Sequence, residues 1–255
     1  MDVFEQKIQK SDVLSFLDKG ANADLPRNIA GIVDLKDDEG NFIFKARKNI
    51  VTLRGRTYCL ESIFKDTIGN IGIDGSYNYI SDLDRTVLAF TIGNGGAPSS
   101  DPFSPFAPTP NGINGNSLGN AIPFRKHDTT ESGSGDPILY IPNNEINFYA
   151  GGIPTTATNT DYFYKKFDNE DPEWFFNSVD NTVYKKLILK ISKDDCRYFN
   201  TNFVNELGLV IGRYGVNDSN GAATIINPEL FSRITFSTEA LPLNKSLTFE
   251  YRVYA

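Results

Sequence analysis

Few residues in this chain are of a type that does chemistry, and their settings are plain. The single histidine, His127, lies in Phe124-Arg125-Lys126-His127-Asp128. A general base must reach the proton it removes. An aspartate adjacent in sequence says little about that reach, so His127 reads as a solvated loop residue. A Ser-His-Asp hydrolase on the α/β plan would also need G-x-S-x-G, which does not occur. The two cysteines, Cys59 and Cys196, give no zinc spacing, no CxxC and no disulfide framework. Each reads as a small buried thiol.

Gly93-Asn94-Gly95-Gly96-Ala97-Pro98 follows an apolar run, as a phosphate loop follows a strand. The Lys-Ser/Thr pair of a P-loop is missing, and the prolines beyond it leave no clean start for a helix. Acidic clusters at Asp34, Asp37, Asp38 and Glu39, and at Asp168, Glu170 and Asp171, offer hard oxygens of the kind Ca²⁺ takes. Neither matches the EF-hand pattern, and charged turns are the simpler reading. No local pattern singles out two carboxylates for glycoside hydrolysis. The expectation is a chain without catalytic, cofactor-binding or metal-binding residues.

Composition narrows the partners. The chain of 255 residues carries a formal net charge of −7. That argues against nucleic acid, because phosphate neutralisation needs clustered Lys and Arg. The patch Lys45-Ala46-Arg47-Lys48 with Arg54 and Arg56 is short and reads as salt-bridge material. No apolar window is long enough to span a membrane. The start, Met1-Asp2-Val3-Phe4, lacks the basic, then apolar, character of a signal peptide. Hydrophobic residues make up 40% and aromatics 13%, enough for a packed core.

The aromatics are the richer signal. Tyr162-Phe163-Tyr164 and Phe167 precede Trp174-Phe175-Phe176 in a stretch, 161–182, otherwise too polar to look like core strand. Core packing and a buried interface account for it equally well, since aromatics anchor binding hot spots. A sugar-binding platform is a third reading. Of these residues, Tyr162, Phe163, Trp174 and Phe175 are the interface candidates.

Residues 2–18 form a fair amphipathic stripe through Phe4, Ile8, Leu14 and Leu17, with Gly20 to stop the helix. Too weak to stand alone, it lies on this domain's flank or docks on a neighbour through Phe4 and Ile8. Residues 29–33 and 42–44 read as strands about the turn Asp37–Asn41, with Gly40 suited to positive φ. A helix is expected from Thr57, as its cap, to Asp66, with Cys59, Leu60, Ile63 and Phe64 as its apolar face.

Val87–Ile92 has strand length. The stretch 93–136 is then broken by Pro98, Pro102, Pro105, Pro108 and Pro110, with Phe103 and Phe106 between them. It is either a long surface loop or an arm laid over a partner with those phenylalanines as anchors. A hairpin is expected at 138–149, and strands near 187–191, 205–212 and 233–236. Leu247–Tyr254 alternates apolar and polar as a half-buried antiparallel strand does.

The sum is a mainly β protein: an antiparallel β-sandwich or open barrel, one or two short helices and a long Pro/Gly-rich insertion. Residues 1–28 form an N-terminal docking segment, and 29–255 a single β domain with the insertion at about 93–136.

Several segments, in this order, resemble a group of tailed-bacteriophage virion structural proteins. They are Lys48-Asn49-Ile50-Val51-Thr52-Leu53-Arg54-Gly55-Arg56; Val87–Pro98, similar to that group's "iGtGttaP" passage; Asn116-Ser117-Leu118-Gly119-Asn120; Val204–Leu209; Leu230–Phe236; and Lys245–Tyr254. The resemblance runs over about 48–255 with long gaps. It implies a virion component with no catalytic residues to carry over. The expectation is a tail or baseplate protein, made in the host cytoplasm. Its partners would be other virion proteins and copies of itself. A collar, neck or capsid-surface position is the alternative within that class; a receptor- or carbohydrate-binding module is the alternative outside it.

Overall fold

The computed structural model describes residues 30–64, 83–106, 118–124, 140–141, 163–167, 173–178, 182–191, 203–216, 223–240 and 246–254. Phe4, Ile8, His127, Tyr162, Cys196 and the second acidic cluster lie outside them.

The chain first folds as β1 (Ala30–Lys36) and β2 (Phe42–Lys48) about a tight turn. Asp37 builds the turn: its Oδ1 accepts the N–H groups of Glu39 at 3.0 Å and Asn41 at 2.8 Å. Gly40 takes φ +83°, which only glycine adopts without cost. β3 (Ile50–Val51) leads into the single described helix, α1 (Leu53–Phe64). Then come β4 (Thr86–Gly93), β5 (Ala121–Ile122), β6 (Tyr140–Ile141), β7 (Tyr164–Lys166), β8 (Glu173–Asn177), β9 (Thr182–Ile191), β10 (Phe203–Val216), β11 (Ala223–Ala240) and β12 (Leu247–Tyr254).

These strands form two antiparallel sheets packed as a β-sandwich. One is five-stranded, in the order β2-β1-β12-β9-β8. The other is seven-stranded, β3-β11-β10-β4-β7-β6 with β5 added on β4. Neither closes into a barrel, so the sandwich alternative holds. The alternation read in the C-terminal strand is borne out: Leu247, Phe249 and Tyr251 are buried, and β12 is the middle strand of its sheet.

Side chains from both sheets fill the core between them, among them Leu35, Leu189 and Phe249 from one and Phe90, Leu209 and Phe236 from the other. Each Leu or Phe so buried gains about 1.5–3 kcal/mol over an exposed one. The seven-stranded sheet is covered on its other face as well, by Leu118, Ala121 and Phe163. Burial on both faces explains why β4 reads as a continuous apolar run and does not alternate.

Two sequence expectations are corrected. The helix starts a turn early, at Leu53. Thr52 caps it: its Oγ1 accepts the Gly55 N–H at 3.0 Å, and its carbonyl accepts the Arg56 N–H at 3.0 Å. The Thr52 N–H is itself held on the Phe231 carbonyl, so β11 fixes the entry point. The core-facing stripe therefore runs through Gly55, Tyr58, Cys59 and Glu61, and leaves Leu60, Ile63 and Phe64 outside. Burial pushes the Cys59 thiol up to about 11.

The described parts of the Pro-rich insertion are laid on this chain's own sheet. Thr238 N–H donates to Pro102 O at 2.9 Å, Ser237 Oγ to Phe103 O at 3.2 Å, and Thr235 Oγ1 to Phe106 O at 2.5 Å. Residues 98–106 thus run beside β11, and 118–124 pack into the two cores. An arm reaching over a partner does not describe these stretches. Of the hairpin expected at 138–149, only β6 is described, and it pairs with β7.

Candidate functional site

The glycine-rich passage is the first place to look for a ligand. Its N–H groups do converge on an anion, and the anion is the chain's own Glu206. Glu206 Oε1 accepts from Gly95 N at 3.0 Å and Asn120 N at 2.9 Å. Oε2 accepts from Gly119 N at 2.9 Å and from Arg233 at 2.7 Å (Nη2) and 3.2 Å (Nε). Glu206 is fully buried. Gly96 N donates to Asn205 Oδ1 at 2.6 Å, and a side chain there would strike the Asn205 carbonyl. The glycines serve backbone-on-backbone contact, and a carboxylate fills the cradle that a phosphate would take.

The paired carboxylates that sequence failed to locate also meet in the interior. Arg85 Nη1 lies 2.6 Å from Glu229 Oε2, and its Nη2 lies 3.8 Å from Glu61 Oε2. All three are 2% exposed or less. Both carboxylates thus face the buried Arg85 guanidinium.

A third polar cluster ties the two sheets. Tyr251 of β12 meets Ser232 of β11 at 2.7 Å between oxygens, and Asn49 Nδ2 donates to the Tyr251 hydroxyl. Gly31 N donates to Asn49 Oδ1 at 2.6 Å. Burial pushes the Tyr251 phenol well above its ordinary range, and the bonds to Ser232 and Asn49 pull the other way. Lys165 adds a second tie, its Nζ donating to the Lys190 carbonyl at 2.9 Å. Among the described residues, no group of three or more His, Cys, Asp or Glu could hold a metal ion. No described helix is long and apolar enough to cross a membrane.

With these three clusters engaged inside the sandwich, the surface carries the candidate site. Strand β8 is the last strand of the five-stranded sheet, in unbroken register with β9 from Glu173↔Lys186 to Asn177↔Thr182. Trp174 and Phe176 pair with Lys185 and Val183, whose strand turns its odd positions Leu187, Leu189 and Ile191 into the core. They therefore share the core-facing side of the sheet, and here that side is open: Trp174 is 68% and Phe176 71% exposed. On the opposite side Phe175 stacks on Tyr184 (4.7 Å between centroids, 10° between planes), and Tyr184 meets Tyr254 at 4.9 Å. Lys185 Nζ lies 5.2 Å from the Trp174 ring centre, and Lys186 pairs with Glu173. β8 thus shows aromatic surface on both faces and, among the described residues, no strand on its outer edge.

No family model, no curated protein and no solved structure matches this chain.

Of the interface candidates, Trp174 and Phe175 come together on β8. Phe163 does not join them: it is 3% exposed, in the core on the outer face of the seven-stranded sheet. Phe103 (74% exposed) and Phe106 (51%) point outward from a backbone tied to β11. Their rings are offered from a fixed support, which lowers the ordering cost of any contact. Sequence reasoning placed Phe176 in the aromatic cluster without making it an interface candidate, and missed Tyr184 and Tyr254 as members of the site. The available signal was alternation: Trp174 and Phe176 are two apart, hence on one face. It also missed Glu206 and Arg233, although a glutamate inside the apolar run Val204–Ile211 asks for a partner.

Proposed function

We propose that this chain is a non-enzymatic structural component of a tailed-phage virion, in tail or baseplate, that works as a rigid block docking through β8. The observation that carries the reading is the β8 edge itself: in unbroken register with β9, aromatic on both faces and, among the described residues, without a strand on its outer side. Natural proteins avoid exposing such an edge unless something covers it. The resemblance supports the phage assignment. Four of its segments supply Gly95, Gly119-Asn120, Arg233 and Glu206, and the first three meet at the Glu206 carboxylate. Segments that form one structural unit are a stronger signal than the same segments scattered.

The deciding experiment is protein analysis of purified particles from a host producing the chain with Trp174→Lys and Phe176→Lys or without them. The parent chain is expected in the particle, and the double variant, still folded, is expected to be depleted at least about tenfold, the loss of a hot spot. A parent chain that stays wholly in the soluble fraction overturns the reading. The exposed Trp174 ring also favours a carbohydrate platform. Glycan-array binding abolished by Trp174→Ala would put that reading first.

A further inference from the structure

We infer that the first occupant of the β8 edge is a second copy of this chain, added antiparallel about a two-fold axis through Phe175; this rests on reading β8 as the docking surface. The strand Glu173-Trp174-Phe175-Phe176-Asn177 is nearly symmetric in character about its centre. Antiparallel pairing about Phe175 sets Trp174 of each copy opposite Phe176 of the other on one face. On the opposite face it brings the two Phe175 rings together, extending the Phe175–Tyr184 stack across the junction. Glu173 falls opposite Asn177, so no like charges face one another. Every described strand pair here is antiparallel, and the added copy continues that pattern into a ten-stranded sheet.

Charge decides between this occupant and an acidic peptide. The cations at the edge are already engaged: Lys186 with Glu173 and 5.4 Å from the Phe175 ring centre, and Lys185 over Trp174. What remains outward is apolar. An enclosed aromatic side chain buries about 150–250 Å². Three from each copy, partly buried beforehand and joined by two strand backbones, bring the junction to roughly 1,000 Å², the lower limit for a specific interface. The dimer is accordingly weak and reversible. Each copy carries −7, so screening the repulsion with salt strengthens it, whereas an acidic peptide held by lysines would weaken.

The test is sedimentation of the full chain over a concentration series at low and high salt, with disulfide trapping. The parent is expected to dimerise with Kd of the order of 10–100 µM, more tightly at high salt. Under mild oxidation Phe175→Cys should cross-link to itself above the parent's background. Directly opposed residues in an antiparallel pair lie about 4.5–5.5 Å apart at Cα, within disulfide reach. Should Phe175→Cys disturb the stack, a mixture of Trp174→Cys and Phe176→Cys chains supplies the same register, and neither alone should cross-link. A parent that stays monomeric throughout, or trapping that is equal for the Phe175→Cys, Trp174→Cys and Phe176→Cys chains each taken alone, overturns the inference. If the lysine variants are also lost from particles in that case, the edge serves another virion protein and the functional reading stands. A dimer with this register, in a chain absent from particles, would uphold the pairing and remove the phage reading.

Discussion

Along β2 the five-stranded sheet ends in Lys45, Ala46, Arg47 and Lys48, all exposed; along β8 it ends in Trp174, Phe175 and Phe176. The β1–β2 register slips between Val33↔Arg47 and Leu35↔Phe44, and Ala46 sits at φ 53°, in the left-handed region. The β8–β9 register does not slip at all. A bulge with lysines is a standard way of making an edge unfit for pairing. Lys36 and Lys45 lie 4.7 and 3.8 Å from the Phe42 ring centre, so the aromatic on the β2 rim is overlaid by cations. One sheet therefore has a guarded rim and an open one. The guard is anchored in the interior: Asp34 Oδ1 accepts the Ala46 N–H at 2.7 Å, and its other oxygen pairs with Arg252 of β12. Among the described residues, no such anchor is built at β8. Stability should thus reside in the guarded half, and association in the open half.

The largest expected effect comes from removing the anchor. Asp34→Ala leaves the Ala46 N–H and the Arg252 guanidinium without their carboxylate. Breaking a buried pair costs about 3–5 kcal/mol; the Arg252 side chain is 22% exposed and recovers some water, so about 3 kcal/mol is expected, a fall in Tm of roughly 6–12 °C for a chain this long. Thermal unfolding measures it. A fall of only a degree or two would mean that the bulge does not depend on Asp34.

Next is Tyr251→Phe. Losing the hydroxyl strands Asn49 Nδ2 and Ser232 in the core, at a cost of about 1–3 kcal/mol near neutral pH. The variant also has a pH signature. The folded-state pKa of Tyr251 is raised, so the neutral phenol is the form the fold holds. Its contribution is complete below the ordinary phenol pKa of about 10 and is lost as pH climbs beyond it, because the unfolded phenol ionises first. Denaturant titrations between pH 8 and 11 should therefore show a decline in the parent that is smaller in the variant. Equal slopes would show that Tyr251 is not the group responsible.

Much of the guarded half was legible in sequence because one-sided burial leaves a period of two. The turn at Asp37–Asn41 carries its own chemistry, and Leu247–Tyr254 alternates cleanly. The helix start was hidden because Thr52 caps only once β11 holds its N–H, which is a tertiary fact. The Glu206 cluster was invisible because its backbone donors lie 86 to 111 residues away in sequence. Composition flagged the aromatics of 161–182 and could not sort them. Phe163 and Trp174 stand in equally polar stretches, yet one meets Leu118 and Ala121 beneath the insertion and the other meets solvent. What separates them is which segment folds over which strand, and no local pattern records that.

On the open rim Phe175→Ala should have an intermediate effect. It removes one member of the Phe175–Tyr184–Tyr254 stack, at about 0.5–1.5 kcal/mol for the ring pair. It should loosen β8 from β9, read as faster amide exchange at Val183–Lys185 with little change at β1 and β12. Exchange that rises across the whole sheet would dissolve the distinction between the two halves.

The smallest stability effect, and the sharpest test, belongs to Trp174→Ala. The Trp174 ring is 68% exposed, and its described ring contact is with Lys185. An exposed cation–π pair contributes about 0.5–1 kcal/mol at most, and alanine also lowers strand propensity slightly. The net change in unfolding free energy should stay below about 1 kcal/mol, while reversible association through β8 weakens about tenfold. A large side chain whose removal leaves the fold alone and weakens binding is one kept for a partner. A loss of about 3 kcal/mol or more, the range for a core aromatic, would make Trp174 a structural residue like Phe163, and the open rim would then be only a thinly covered flank of the core.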